Sequence, residues 1–105
     1  MNSKTKNSKT NDKSLETVNK IKNKGQAIKG EDIDIALHML KTYLDTPEIK
    51  PLLSALETLK TEPQNEAFQI EVIDVFNDLG IMQGAALTYA PYLNIFISDD
   101  PFGDH

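Results

Sequence analysis

The sequence predicts an all-α protein, in which residues 14–97 form a single domain built as a small antiparallel bundle of four main helices. Three observations support this prediction. Apolar residues recur every three or four positions between residues 33 and 79, which is the spacing of a helix face. The breaks between these segments are short and contain proline or glycine, which favours antiparallel neighbours. The segment from Gly84 to Ile97 carries no charge, which predicts a helical hub buried at the centre of the bundle.

The two ends of the chain are predicted to lie outside the packed domain. Residues 1–13 contain no apolar residue after Met1, so a disordered basic arm is predicted there. Residues 98–105 are acidic and contain proline and glycine, which predicts a flexible acidic tail. Residues 1–29 hold eight lysines against two acids, and residues 30–105 hold three lysines against fourteen acids. The net charge of −5 therefore divides into a basic start of +6 and an acidic remainder of −11.

The first two helices are predicted from their end signals and their apolar spacing. A short helix runs from Ser14, as a possible cap, to about Lys24, and Gly25 ends it. Its apolar positions are Leu15, Val18 and Ile21. The next helix begins at Gly30, with acids in its first turn that suit the positive end of the helix dipole. Its predicted inner face is Ile33, Ala36, Leu37, Leu40, Tyr43 and Leu44, with Met39 at the margin.

Proline and glycine also divide the rest of the chain. Pro47 predicts a break, and a helix then starts between Glu48 and Lys50. Its inner positions are Ile49, Leu52, Leu53, Leu56 and Leu59. The pattern from Thr61 to Gln64 has the form of a capping box and predicts the start of another helix, which ends before Gly80. The inner positions of that helix are Phe68, Val72, Ile73, Val75, Phe76 and Leu79.

The final apolar segment contains Pro91, which removes one helical hydrogen bond. A kink, or a split into two short helices, is therefore predicted at that residue. A strand over residues 93–97 is the alternative, although no partner strand is evident elsewhere in the sequence.

No catalytic, cofactor or metal site is predicted. The glycines form no phosphate-binding loop, and the chain has no cysteine to act as a nucleophile or a metal ligand. Asp34 and His38 are four residues apart and could supply two metal ligands, but a solvated polar face is the favoured interpretation. The acids and the histidine of residues 98–105 lack the spacing of an EF-hand loop. We therefore expect a protein that is not an enzyme.

Six residues are candidates for binding a partner. They are Glu71, Asp74, Asp78, Tyr89, Tyr92 and Phe102. The three acids share one helix face and could attract a basic partner. The two tyrosines belong to the residue types that are enriched at interfaces, and the phenylalanine lies in an acidic tail, as short peptide motifs often do. The structural alternatives are a solvated face, core packing and a frayed terminus.

The leading hypothesis is a non-enzymatic protein-binding module, a small regulator, inhibitor or adaptor that acts through an acidic helical surface or an apolar patch. The alternatives are a nucleic-acid-related role, through the lysine-rich arm or by mimicry of nucleic acid by the acidic body, and a helical small-ligand domain around Tyr89–Phe96. The expected partner is an unidentified protein, a homodimer is left open, and nucleic acid is disfavoured. No secretory signal is evident and residues 85–97 are too short to span a bilayer, so a cytoplasmic protein of bacterial type is expected.

Overall fold

The computed structural model describes residues 14–25 and 27–97, and all regular structure in these residues is helical. The helices are α1 (residues 14–23), α2 (Gly30–Tyr43), α3 (Lys50–Thr61), α4 (Glu66–Asn77) and α5 (Met82–Tyr89), with 3-10 helices at Pro47–Ile49 and Pro91–Phe96. The all-α prediction is therefore confirmed for the described residues. The alternative of a strand over residues 93–97 is wrong, because the second 3-10 helix covers most of them. The predicted arm over residues 1–13 and the predicted tail over residues 98–105 lie outside the described residues.

Several predicted helix ends agree with the structure. Gly25 comes two residues after the end of α1 with a φ of +73°, and Gly80 comes three residues after the end of α4 with a φ of +66°. Both values lie in the left-handed region that glycine adopts with little strain. At the start of α2, Glu31 and Asp32 occupy the first turn, while Lys41 occupies the last. This order of charges stabilises the helix dipole at both ends.

The predicted capping box at Thr61 is wrong. Thr61 is instead the last residue of α3, and the cap of α4 is Asn65, whose side chain accepts a hydrogen bond from the backbone N–H of Phe68 at 3.1 Å. The amide of Gln64 donates to the carbonyl oxygen of Ile28 at 2.6 Å. Gln64 therefore ties the loop before α2 to the loop before α4 rather than capping a helix. α4 ends at Asn77, two residues before the predicted end.

α3 lies at the centre of the fold, because it packs against α2 on one side and α4 on the other. Its buried residues are Leu52, Ala55, Leu56 and Leu59. The core that surrounds it contains Ile33, Ala36, Leu37 and Leu40 of α2, with Val72, Ile73 and Phe76 of α4. α1 contributes Val18 and Ile21. The apolar stripes of these helices therefore meet in one continuous core.

The predicted hub at Gly84–Ile97 is wrong in its central position. Ala86 is the buried residue of α5, and Ala90, Leu93 and Phe96 continue its face into the core. The opposite side, which includes Thr88, Tyr89 and Asn94, is exposed. The segment packs against α2 and α4, the same two helices that contact α3. The predicted split at Pro91 is confirmed, since α5 ends before it and a 3-10 helix follows.

Polar contacts join α1 and the C-terminal segment to α4. The hydroxyl of Ser14, predicted as a helix cap, is buried and donates to the carboxylate of Asp74. The Lys22 ammonium forms an ion pair with Glu66. The Asn77 side chain donates to the carbonyl oxygen of Phe96 at 3.0 Å. These contacts hold both ends of the described chain against the same helix.

Candidate protein-binding surface

An apolar strip lies on the surface where α2 and α5 meet. We define the α2–α5 strip as Ile35, Met39, Tyr43 and Tyr89. The first three residues are four apart on α2 and therefore lie on successive turns of one helix face. Ile35 and Tyr43 are 59% and 60% exposed, Tyr89 is 39% exposed and Met39 is half-buried. The strip thus leaves large apolar side chains in water on a chain of modest size.

The aromatic end of the strip is a stacked pair of rings. The ring centroids of Tyr43 and Tyr89 are 5.6 Å apart, and the ring planes differ by 14°. The sequence pattern placed Tyr43 on the inner face of its helix, and this prediction is wrong. Tyr43 is the last residue of α2, where its ring lies over Tyr89 at the surface. Stacking of this kind restricts both rings, and each tyrosine remains partly exposed to the solvent.

A shallow depression of about 340 Å³ borders the strip. Its lining is Asp34, Ile35, Leu37, His38, Met39, Lys41, Glu57 and Lys60. Two ion pairs cross from α2 to α3 here: Lys41 Nζ lies 2.7 Å from Glu57, and Lys60 Nζ lies 3.0 Å from Asp34. The hydrogen bond from Lys41 lowers the pKa of Glu57, and the hydrogen bond to Asp34 raises the pKa of Lys60. The charges beside the strip are therefore mutually paired, and the apolar side chains remain uncovered.

Tyr92 does not belong to the same surface as Tyr89. Its hydroxyl oxygen accepts a hydrogen bond from the backbone N–H of Lys29 at 3.4 Å, so it contacts the start of α2, whereas Tyr89 contacts its end. Its ring packs edge-on against Phe96 at 6.4 Å. Partial burial raises the pKa of the Tyr92 hydroxyl, although the bond from Lys29 acts in the opposite direction. The geometry gives Tyr92 a packing role, and Tyr89 a surface role.

The predicted acidic row on α4 is reduced in the structure. Glu71 and Asp78 are exposed, but Asp74 is half-buried and accepts the hydrogen bond from Ser14. The carboxylate of Asp74 is therefore engaged within the fold. Phe102, the sixth predicted candidate, lies outside the described residues.

Several polar side chains of the described residues bind within the fold. The hydroxyls of Thr58 and Thr88 donate to the backbone carbonyls of Ser54 and Gly84, within their own helices. No group of three or more histidine or acidic side chains gathers in the described residues as metal ligands would. Asp34, which the sequence placed with His38 on a polar helix face, forms an ion pair with Lys60. Among the described helices, none combines the length and the apolar character that a bilayer crossing needs.

Two exposed apolar residues were missed by the sequence reasoning. Ile35 lies about 200° around α2 from the buried Ile33, so the helical spacing alone contains the signal that it faces away from the core. Ile81, which is 94% exposed, precedes α5, and the sequence pattern places it in the short connection before the final apolar segment. A search for apolar residues at outward positions would have found Ile35.

The chain was compared with protein-family models, with curated proteins and with solved structures, and none of the three comparisons found a match. Interpretation of the surface therefore depends on its own geometry and charge.

Proposed function

We propose that this chain is a non-enzymatic protein-binding module, a small regulator, inhibitor or adaptor, that docks its partner on the α2–α5 strip. The observation that supports the proposal is the exposed stack of Tyr43 on Tyr89, which continues along α2 to Ile35. Because each ring already restricts the other, little side-chain entropy is lost when a partner covers them.

The strip differs from scattered surface apolar residues, which are normal in soluble proteins. Its members are adjacent, and they extend across two helices. Covering such a surface stabilises a complex by roughly 25 cal/mol for each Å² of apolar area removed from water. Contiguous apolar patches of this kind mark interaction sites, and tyrosine is among the residues that dominate binding energy there.

The surrounding charge indicates the chemistry of the partner. Glu31 and Asp32 lie at the start of α2, and Asp45 follows its end. Residues 30–97 contain three lysines against eleven acids, and two of those lysines form ion pairs with acids of α2 and α3. We therefore propose a partner surface with an apolar centre and a rim of lysine or arginine, since opposite potentials favour encounter and register.

The test compares three versions of the purified chain as bait for affinity capture: wild type, Tyr89→Ala and Thr88→Ala. Thr88 precedes Tyr89 on the same exposed side of α5 and serves as the matched control. The partner should bind to wild type and to Thr88→Ala, and should be lost from Tyr89→Ala. With the purified partner, removing a central aromatic side chain should cost about 2 kcal/mol, or roughly 30-fold in Kd.

Salt and oligomeric state complete the test. Added salt should weaken capture by wild type, because it screens the charges at the rim. A protein that binds all three baits equally, or no partner at either salt concentration, contradicts the proposal.

Light scattering tests whether the partner is a second copy of the chain. A wild-type dimer that Tyr89→Ala converts to a monomer would assign the strip to self-association instead. Circular dichroism should show unchanged helix content in each variant, because both substituted side chains are exposed.

We also propose that the helices pack as the antiparallel bundle expected from the sequence. The cross-helix pairs support it: Ser14–Asp74 and Lys22–Glu66 join α1 to α4, and Asp34–Lys60 and Lys41–Glu57 join α2 to α3. In each case residue numbers rise along one helix as they fall along the other. Spin labels at the start of α2 and the end of α3 should be close, whereas a parallel pair would separate them by about 20 Å. The cytoplasmic location stays a prediction from the sequence.

A further inference from the structure

The α2–α5 strip is long and narrow. Ile35, Met39 and Tyr43 are four residues apart on α2, and a row of this spacing forms a ridge on a helix surface. With a rise of 1.5 Å for each residue, the ridge extends about 12 Å along the helix axis. At its C-terminal end it meets Tyr89, whose ring stacks on Tyr43. The strip therefore has the length of about two helical turns.

The backbone beneath the strip favours a helical occupant. Ile35 and Met39 lie inside α2, where helical hydrogen bonds occupy the backbone N–H and C=O groups. The described part of the chain also contains no strand to whose edge an extended segment could add. An extended segment on the strip would depend on water for its backbone hydrogen bonds, whereas a helix satisfies them internally. A helix can therefore lay an apolar face along the ridge without leaving backbone groups unpaired.

Acidic residues lie at both ends of the strip. Glu31 lies one turn before Ile35, Asp45 follows Tyr43 by two residues, and both acids are exposed. Neither forms an ion pair within residues 14–25 and 27–97, unlike the acids that pair with lysine between α2 and α3. The two acids are roughly 20 Å apart along the helix axis. A matching occupant carries a lysine or arginine near each end of its apolar face.

The same acids disfavour a second copy of this strip as the occupant. If two strips packed in antiparallel orientation, Glu31 of one chain would face Asp45 of the other. In parallel orientation, each acid would face its own counterpart. Like charges would meet at the ends of the strip in both cases, and such a juxtaposition is unfavourable at an interface. Charge complementarity therefore selects a basic segment of a different protein.

We infer, on the basis of the proposed function, that the partner covers the α2–α5 strip with a basic amphipathic helix. Its apolar residues recur every three or four positions over at least two turns, and they pack on the ridge of α2 and on Tyr89. A lysine or arginine at each end of this face pairs with Glu31 and Asp45, which fixes the register of the helix on the strip.

The experiment selects peptides that bind the full chain from a phage-displayed library. The random sequences are about 16 residues long, enough for a helix of roughly 24 Å. Peptides that also bind Tyr89→Ala are removed, so that those recovered depend on the strip. They should share apolar residues at spacings of three or four, with lysine or arginine on both sides. Isotope-labelled synthetic copies should adopt helical carbon shifts when the wild-type chain is added.

A pair of isoleucine variants tests where a recovered peptide lies. Ile35→Ala should weaken its binding roughly tenfold in Kd, because a side chain of the strip no longer contacts the peptide. Ile81→Ala is the matched control, since Ile81 is also exposed but lies outside the strip, and it should leave Kd unchanged.

A pair of charge variants tests the two ends of the strip. Glu31→Gln/Asp45→Asn should weaken peptide binding roughly fivefold and reduce its salt dependence, because exposed ion pairs contribute modestly. Glu71→Gln/Asp78→Asn removes the same number of exposed charges from α4 and its end, and it should change neither quantity. Equal losses in the two double variants would overturn the inference, because general attraction to an acidic chain produces that result.

The selection separates this inference from the proposed function. Peptides that require Tyr89 but show alternating apolar residues, or acids at both ends, would overturn the basic helix and leave the protein-binding role in place. Recovery of no peptide that distinguishes wild type from Tyr89→Ala would also overturn it, while affinity capture decides the protein-binding role independently. A wild-type dimer that Tyr89→Ala dissociates would overturn it as well, since a second copy would then occupy the strip.

Discussion

α3 and the C-terminal segment from Met82 to Phe96 contradict a simple relation between charge and burial. α3 contains Lys50, Glu57 and Lys60, yet it lies at the centre of the fold with two helices packed against it. The C-terminal segment contains no charged residue, yet it contacts α2 and α4 less extensively than α3 does, and like α3 it leaves one face in water. Total apolar content therefore did not decide which element became central.

The arrangement of large side chains explains the difference. α3 has three fully buried leucines and Ala55 on one side, with its charged residues on the other. In α5 the residue that faces the core is Ala86, which offers little area to bury, and the large buried side chains of the segment, Leu93 and Phe96, follow only in the short 3-10 helix. Burial stabilises in proportion to the apolar area removed from water, so a helix with leucines at three of its four buried positions gains more from a central place. The difference teaches that side-chain size at the inward positions predicts centrality better than a lack of charge.

The largest expected effect tests the central role of α3. Leu56→Ala removes a fully buried side chain between two packed helices. It should lower the free energy of unfolding by about 2–5 kcal/mol, because a cavity is left as well as lost burial. Leu87→Ala is the matched change in α5, where the leucine is half-buried, and it should cost roughly half as much. Urea unfolding measures both; equal losses would remove the distinction between the two regions.

A smaller effect is expected where the C-terminal segment is attached. The Asn77 side chain donates to the carbonyl oxygens of Ile73 and Phe96, at 2.8 and 3.0 Å. Asn77→Ala should cost about 1–3 kcal/mol, since it removes the side-chain hydrogen bond to the partly buried carbonyl oxygen of Phe96. Asn94→Ala, at an exposed position of the attached 3-10 helix, should stay within about 0.5 kcal/mol of wild type. If the two variants unfold at the same urea concentration, the attachment of the C-terminal segment to α4 does not depend on the Asn77 side chain.

The smallest expected effect is the pH dependence of the C-terminal segment. Partial burial raises the pKa of Tyr92 above its ordinary value of 10.0. The folded state therefore holds this proton more tightly than the unfolded state. The resulting stability is fully present below the unfolded pKa and is lost as pH rises through the folded pKa.

Tyr92→Phe should lack that alkaline loss. Urea unfolding between about pH 9 and pH 11 should show wild type losing more stability than the variant. The comparison cancels the titration of lysines, which both proteins share. Parallel curves for the two proteins would show that Tyr92 titrates alike in the folded and unfolded states.

Part of the candidate surface could be predicted from sequence, and part could not. Tyr89 was predicted as a partner-binding residue, and it is exposed in the α2–α5 strip. Its neighbour Tyr43 was assigned to the core, because both the apolar periodicity and the aromatic ring favoured that assignment. Whether an aromatic residue in the last turn of a helix is covered depends on what lies beyond that turn. That information is a tertiary contact, and no spacing within α2 contains it.

The sequence by itself determined the helical class, the limits of α2, the breaks at Pro47 and Pro91, and the three buried leucines of α3. Local physics decides these features, since proline, glycine and the 3.6-residue period act within a few positions of the chain. The tertiary structure alone decided that α3 would be central, that Asp74 would bind Ser14, and that Tyr43 and Tyr89 would stack at the surface. Those outcomes depend on competition among helices for one core, and on which side chains are left uncovered when that core is full.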